Sequence, residues 1–222
     1  MEANRLPPSQ READLVPDED PTQSHSGHWT PSDPAPLGLA AFATTTFALS
    51  IINANLVSAT ALPMVAIMAL TFGGIGQLIA GIWEFRTGNT FGATVFTAYG
   101  TFWISFFFLV IVALPLVPKT EADAAIGLYL WSWTLFTLLI LVASLRTTGA
   151  IAFTLVLLVI TFVLLAIGYS SLVGGTAATN GTLKLGGYFG IATALAAWYV
   201  SFAGLSTAVF GRQMLPVFPL TR

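Results

Sequence analysis

The sequence lacks cysteine altogether and has few charged residues, and both features exclude certain classes of protein and kinds of site. Without a thiol, the 222-residue chain has no means of forming a disulfide, a thiolate metal site or a cysteine nucleophile. Charged residues make up 8% of the chain and hydrophobic residues 55%, whereas an ordinary soluble domain is about one-quarter charged. With a mean hydropathy of +0.81, this composition predicts an integral membrane protein.

The few acidic residues are concentrated in an N-terminal tail. All but three of them precede or occupy position 33, the exceptions being Glu84, Glu121 and Asp123. Residues 1–32 are rich in Pro, Ser and acidic residues and contain no apolar run, so we predict a disordered cytoplasmic tail without a cleaved signal peptide. His25 and His28 lie in this tail and are interpreted as solvated side chains.

Six segments are long and apolar enough to span a bilayer, for which about 20 residues are needed. Runs such as Ile151–Ile167 are apolar except for two threonines, unlike the alternating strands of a membrane β-barrel. The predicted fold class is an all-α bundle of six transmembrane helices over residues 33–216, followed by a short C-terminal tail, 217–222. The predicted spans are Pro34–Val57, Pro63–Phe85, Phe91–Leu114, Ala124–Leu145, Ala150–Ser171 and Leu185–Phe210.

The basic residues in the short loops predict the orientation, because cytoplasmic loops carry more Lys and Arg. Near the spans, four arginines fall on the side of the N-terminal tail and two lysines on the other: Arg86, Arg146, Arg212 and Arg222 against Lys119 and Lys184. Both termini are therefore predicted to be cytoplasmic, in a multi-pass protein of the plasma membrane.

Polar residues follow one face of the first span. Thr46, Ser50 and Asn53 recur after Phe42 at helical spacing, with Thr45 beside them. Such hydroxyl and amide groups can replace part of the hydration shell of a solute without a charge that would trap it. Alternatively, the hydroxyls bond to carbonyls of their own helix and only support packing. The pattern leaves both interpretations open.

Further polar side chains lie inside the spans or at their ends. Gln77 is in the middle of the second span, where it either joins a neighbouring helix or contacts a solute. Glu84 is the one carboxylate inside a predicted span, and it is interpreted as structurally paired, for instance with Arg146, or as proton-linked. Asp33 and Asn89 are predicted to cap the first and third helices, whose N-termini favour anions.

Small residues four apart predict close helix contacts in lipid. The pairs are Gly76/Ala80, Gly88/Gly92 and Gly186/Gly190. The pattern fits contacts within one protomer as well as contacts between protomers.

Groups needed for several kinds of chemistry are missing from the spans. No basic residue lies deep in any span, and no His, Cys or carboxylate pair is available there for a metal or for nucleophilic catalysis. No Gly-rich phosphate loop or basic nucleic-acid patch occurs. We therefore predict a protein that is not an enzyme, has no catalytic residue, metal or cofactor, and does not bind nucleic acid.

Three ordered motifs resemble those of the acetate uptake transporter family, which includes bacterial succinate–acetate permeases. The stretch Asp33–Leu39, with Phe42 and Thr45-Thr46 after it, is similar to the family signature Asn-Pro-Ala-Pro-Leu-Gly-Leu, although Asp33 replaces its leading Asn. The segment Gly73–Phe85 resembles the second-helix motif of the family. The segment Gly88–Gly92, followed by Phe96, Tyr99, Gly100, Phe102 and Trp103, resembles its third-helix motif. The likeness covers roughly residues 33–216.

The resemblance implies a six-helix protomer in a ring-shaped homo-oligomer, usually a hexamer, in which each protomer has its own pathway for acetate and sometimes succinate. It also implies a hydrophobic constriction formed by Phe42, Tyr99 and Leu158. We therefore expect transport of acetate and related short-chain carboxylates across the lipid bilayer, by a channel-like or proton-coupled pathway. The polar residues expected along it are Thr45, Thr46, Ser50, Asn53, Gln77 and Asn89.

Two alternatives stay open. The first, also a transport function, is a channel for another small solute, such as ammonia, formate or water. The second belongs to a different class: a non-conducting membrane sensor or assembly protein, in which the polar stripe would serve only packing.

Overall fold

Among the residues that the structure describes, six helices are long and apolar enough to cross a membrane. The computed structural model describes residues 29, 31–172 and 180–220, so most of the predicted disordered tail lies outside the described residues. The six helices confirm the predicted all-α fold class. They are α1 (Ala35–Asn53), α2 (Ala59–Thr87), α3 (Thr90–Leu116), α4 (Lys119–Ser144), α5 (Gly149–Ser170) and α6 (Gly181–Phe210).

The helices pack side by side, so that each contacts the next and the last contacts the first. Helix α1 contacts α2 and α6, α2 contacts α3, and α5 lies between α4 and α6. Side-chain hydrogen bonds support these contacts: Trp198 Nε1 of α6 donates to Thr44 Oγ1 of α1 at 3.2 Å, and Thr161 of α5 meets Thr193 of α6 at 3.2 Å. Helix α1 thus packs between α2 and α6.

An aromatic layer joins α3 to α4, which complete the ring. Phe102 stacks on Tyr129 at 5.6 Å between ring centroids, and Tyr99 meets Phe136 edge-on at 6.0 Å. Two hydroxyl contacts bridge the same helices, Tyr99 Oη to Thr137 Oγ1 at 2.9 Å and Tyr129 Oη to Ser105 Oγ at 2.8 Å. Rings of this size keep the two backbones apart while burying apolar surface.

Two helices contain π-helical turns. The main chain of α2 is π-helical over Ala69–Gly76, and that of α3 over Leu109–Ala113. Such i→i+5 turns are rare and accumulate at functional sites. In α2 the segment ends directly before Gln77, and it therefore sets the direction in which Gln77 and Glu84 project.

Side-chain caps fix the starts of several helices. Asn89 Oδ1 accepts from Gly92 N at 3.0 Å at the start of α3, which confirms that predicted cap. Asn180 does the same for Leu183 N at the start of α6. In α1 the capping position is Pro34, without a side-chain cap, so the predicted cap by Asp33 is wrong by one residue; Asp33 Oδ1 accepts from Ala35 N at 2.9 Å from the preceding position. These bonds satisfy backbone donors that a helix start leaves unpaired.

Glycines allow close contacts between helices of the same protomer. A Cβ atom on Gly187 would overlap the backbone of Ala54, and one on Gly190 would overlap Ser50 Oγ. A Cβ on Gly100 of α3 would lie 2.7 Å from Leu78 N of α2. The Gly186/Gly190 pair therefore serves packing inside the protomer, a question that the sequence pattern left open.

The C-terminal tail is docked on the start of α5. Gly149 N donates to Phe218 O at 2.6 Å, Ala150 N to Val217 O at 3.2 Å, and Leu220 N to Thr147 O at 3.0 Å. We call residues 217–220 the C-terminal strap. It supplies carbonyl partners to two N–H groups at the start of α5 that no intrahelical carbonyl reaches.

Candidate functional site: two cavities and the residues between them

The bundle contains two cavities, which lie toward opposite ends of the helices. The larger one, about 520 Å³, lies at the end of the bundle where α1 finishes and α2 begins, and all six helices contribute to its wall. The smaller one, about 80 Å³, lies between the start of α1, the end of α2 and the starts of α3 and α5. Both are roomy enough for water, since a polar site needs only about 10–15 Å³ of such volume per molecule.

Phe42 and Leu158 line both cavities and therefore lie at the boundary between them. Tyr99 lines the smaller cavity, and its ring lies 5.7 Å from that of Phe42. All three side chains are almost fully buried. The structure thus brings together the three residues that the family resemblance placed at a constriction.

The polar residues of α1 divide between cavity and packing. Thr46, Ser50 and Asn53 line the larger cavity. Thr45 lines neither cavity in the described chain: its hydroxyl donates to Ala41 O at 3.1 Å, and the side chain packs against Gly73. The position of Thr45 therefore does not support the expectation that it lies on the transport pathway. Because Thr45 precedes Thr46 by one residue on the helix, its side chain faces α2 and not the larger cavity.

Two buried hydrogen-bond donors of the larger cavity are unused. Among the described residues, Thr46 Oγ1 and Trp103 Nε1 have no hydrogen-bond partner, although both side chains are less than a tenth exposed. A buried donor without a partner costs free energy, about 1–3 kcal/mol. A ligand that accepts hydrogen bonds would remove this cost.

The smaller cavity carries Gln77, Glu84 and Asn89. Glu84 Oε2 accepts from Thr87 Oγ1 at 3.0 Å, whereas Arg146, the partner suggested by the sequence, is exposed in the loop after α4. In the described part of the chain, Gln77 Oε1 and Glu84 Oε1 have no hydrogen-bond partner. No group of three or more His, Asp or Glu side chains suited to a metal occurs among the described residues.

Sequence reasoning missed the aromatic wall of the larger cavity, which comes from three helices. Aromatic residues that are distant in sequence meet here, and no local spacing signals this. In the sequence, Phe102 and Trp103 stand only in the third-helix motif, and the unused N–H of Trp103 is visible only in the structure. The wall consists of Phe102, Trp103, Phe106, Tyr129, Phe162 and Tyr169, and Phe42 at the boundary adds a further ring from α1.

The fold and the site define a class of protein. It is a multi-pass helical membrane protein with two cavities that are separated by an apolar boundary at Phe42 and Leu158. The chain belongs to the GPR1/FUN34/yaaH family, whose model matches residues 16–222. This confirms the predicted membership, since the relatives include named acetate transporters.

The named relatives come from fungi and bacteria. The chain is 37% identical to acetate permease A of Emericella nidulans over 84% of the chain and 65% of that protein. It is 40% identical to ammonia transport outward protein 2 of Saccharomyces cerevisiae, covering 85% of the chain and 67% of that protein. It is 35% identical to the succinate-acetate/proton symporter SatP of Escherichia coli, covering 84% of the chain and 95% of SatP.

A solved structure supports the fold. The structure of the bacterial acetate channel SatP matches with a TM-score of 0.74 and 32% identity, covering 84% of this chain and 99% of that one. The chain spans only about two thirds of the length of the fungal relatives named above. These proteins are named for transport, for a permease or for a channel, and not for an enzymatic reaction.

Proposed function

We propose that the protein carries acetate and related short-chain carboxylates, including succinate, across the membrane through a pathway inside each protomer. The observation that carries this proposal is the pair of cavities that approach each other at Phe42 and Leu158. The names of the bacterial and fungal relatives support the substrate class. The pathway contains no catalytic residue in this proposal, because passage requires only binding and release.

The larger cavity suits a short carboxylate for two reasons. Thr46 Oγ1 and Trp103 Nε1 can donate to carboxylate oxygens, which accept several hydrogen bonds. The aromatic wall covers the apolar part of the molecule. Since no charged side chain lines the larger cavity among the described residues, the anion is held without a strong countercharge and is able to leave.

The constriction is tested with Phe42→Ala in proteoliposomes. Removing the ring opens the boundary, so we expect the flux of larger monocarboxylates relative to acetate to rise. Phe153→Ala is the matched control, because Phe153 is 59% exposed on the outside of α5 and its loss leaves the boundary intact. Unchanged selectivity in Phe42→Ala would show that Phe42 does not limit passage. Protein-free vesicles correct for the permeation of the acid itself.

A second candidate is passage of ammonia, favoured by the name of the yeast relative and by the two unused acceptors of the smaller cavity, since ammonium carries only donors. Flux of acetate and of ammonium in the same vesicles separates the candidates. Ammonium flux without acetate flux would replace the first proposal.

We also propose that the chain lies in the plasma membrane with both termini cytoplasmic, and that copies assemble into a ring, in the family usually a hexamer. The arginines near the spans and the motif resemblance support this arrangement. Native mass spectrometry of the protein in detergent gives the number of subunits, and a monomer would contradict the ring.

A further inference from the structure

Tyr99, which lies at the boundary between the cavities, is bonded to a residue that is outside both of them. Its hydroxyl oxygen lies 2.9 Å from Thr137 Oγ1 of α4. Both side chains are buried, with exposed fractions of 2% for Tyr99 and 0% for Thr137. Thr137 lines neither cavity, and among the described residues no α4 side chain lines the smaller one. Helix α4 therefore acts on this part of the boundary through Tyr99.

The direction of this hydrogen bond follows from a second contact of Thr137. Thr137 Oγ1 lies 2.7 Å from Trp133 O. A carbonyl oxygen only accepts, so the single hydroxyl hydrogen of Thr137 is used in that bond. Tyr99 Oη is then the donor in its contact with Thr137 Oγ1. The hydroxyl hydrogen of Tyr99 is directed at α4 and is not available to a solute.

Two aromatic residues of α4 surround the same tyrosine. The ring centroid of Tyr99 lies 6.1 Å from that of Trp133 and 6.0 Å from that of Phe136. We call Trp133, Phe136 and Thr137 the α4 socket, since their spacing of i, i+3 and i+4 places them on one face of the helix. The ring held in this socket also contacts Phe42, at 5.7 Å between centroids. A change in the socket therefore moves one wall of the boundary.

We propose that Thr137 is a positioning residue for the constriction: by accepting the hydroxyl hydrogen of Tyr99, it fixes the Tyr99 ring beside Phe42 and thereby limits the size of the carboxylate that passes. This inference rests on the proposed carboxylate transport. It makes the hydroxyl of Tyr99 an anchor and its ring the part that the solute meets. The narrow part of the pathway is then formed by carbon atoms of Phe42, Tyr99 and Leu158.

The direction of the bond makes its two partners unequal. When Thr137 loses its hydroxyl, the buried donor of Tyr99 has no acceptor, so the ring either moves or leaves a hydrogen bond unmade. When Tyr99 loses its hydroxyl, Thr137 still donates to Trp133 O, and no buried donor is left unpaired. Removing the acceptor is therefore the more disruptive of the two changes.

The test is the ratio of butyrate flux to acetate flux in proteoliposomes that contain the full chain. Thr137→Val keeps the size of the side chain and is expected to raise this ratio about fivefold or more, since an unmade buried hydrogen bond shifts an equilibrium between two ring positions by at least such a factor. Tyr99→Phe should raise the ratio less. In the Tyr99→Phe background, Thr137→Val should have no further effect, because no hydroxyl is left to hold.

Thr134→Val is the matched control for Thr137→Val. Thr134 is 1% exposed and lies on the same helix, but its hydroxyl donates to Leu130 O at 2.8 Å, inside α4. The same hydroxyl-to-methyl change is thus made one turn of a helix nearer the start of α4, without loss of a bond to α3. This variant should keep the wild-type flux ratio.

The inference is overturned if Thr137→Val keeps the wild-type ratio, if Thr134→Val raises the ratio equally, or if Tyr99→Phe raises it as much as Thr137→Val. It is also overturned if Thr137→Val raises the ratio further in the Tyr99→Phe background. Should Thr137→Val fail to fold, the double variant decides: it is expected to fold and to match Tyr99→Phe, and failure on either count overturns the inference. Absence of acetate flux in wild type would instead reject the proposed transport.

Discussion

At the scale of single residues, adjacent threonines in α1 have different surroundings. Thr45 packs against Gly73 of α2, whereas Thr46 lines the larger cavity with an unused hydroxyl. The two positions therefore allow a controlled comparison, in which the same change of a hydroxyl to a methyl group is made on and off the proposed pathway.

Thr46→Val and Trp103→Phe are expected to weaken carboxylate binding, since each removes one donor; Thr46→Val does so with little change of volume. A hydrogen bond to a charged group contributes about 1.5–3 kcal/mol, so KM for acetate should rise roughly tenfold or more. The measurement is initial uptake against acetate concentration. Thr45→Val should leave KM unchanged; an equal rise in all three variants would indicate a general packing effect.

The residues of the candidate site were only partly accessible to sequence reasoning. Helical spacing placed Thr46, Ser50 and Asn53 on one face, because a single helix determines that relation. The spacing did not separate Thr45 from them, since its direction depends on where α2 packs. The unused donors and acceptors depend on several helices at once, and no local pattern encodes them.

At the scale of the helices, close packing between neighbouring helices depends on glycine positions where a Cβ atom would not fit. A methyl group on Gly187 would overlap the backbone of Ala54, which has no side-chain freedom to yield, whereas a Cβ on Gly181 meets nothing within 4 Å. Both glycines belong to α6.

Gly187→Ala is expected to destabilise the bundle by about 1–3 kcal/mol through overpacking. Gly181→Ala, at the open start of the same helix, should change stability little. Thermal unfolding of both variants in the same detergent checks the difference, and equal melting temperatures would contradict the contact between α6 and α1.

The C-terminal strap is expected to hold the start of α5. Ending the chain after Pro216 keeps the bond from Tyr199 Oη to Pro216 O but removes the carbonyls that accept from Gly149 N and Ala150 N. Hydrogen exchange at these two amides should then become faster than in the full chain, while the amides of α6 stay protected. Unchanged exchange at Gly149 and Ala150 would show that water replaces the strap without loss.

At the scale of the whole molecule, an even number of spans places both termini on the same side, and the basic loops support the cytoplasmic orientation that we propose. The absence of cysteine makes this directly measurable, since a single introduced thiol is the one thiol in the chain. Lys119 and Arg146 are exposed at opposite ends of α4.

In intact cells, a membrane-impermeant maleimide should label Lys119→Cys and should reach Arg146→Cys only after permeabilisation. The reason is that the loop before α4 faces outward and the loop after it faces the cytoplasm in the proposed topology. The reverse labelling pattern would invert the orientation and place the smaller cavity on the outer side.

Composition and the lengths of the apolar segments were enough to predict the six helices and the fold class, because a bilayer leaves few ways to satisfy backbone hydrogen bonds. The order in which the helices pack was not predictable in the same way. It depends on close contacts such as that of Gly187 with Ala54 and on the aromatic layer between α3 and α4. Both kinds of contact join residues that are far apart in the chain.

The π-helical turns of α2 make the number of residues in this stretch important for the structure. They lie between the half of α2 that begins at Leu62 and the half that carries Gln77 and Glu84. Each i→i+5 turn holds one residue more than the i→i+4 turn of an α-helix, so winding this stretch as a regular α-helix would rotate one half of α2 relative to the other. Both acceptors of the smaller cavity would then leave it with no side chain exchanged. The number of residues in this stretch, as much as their identity, specifies the site.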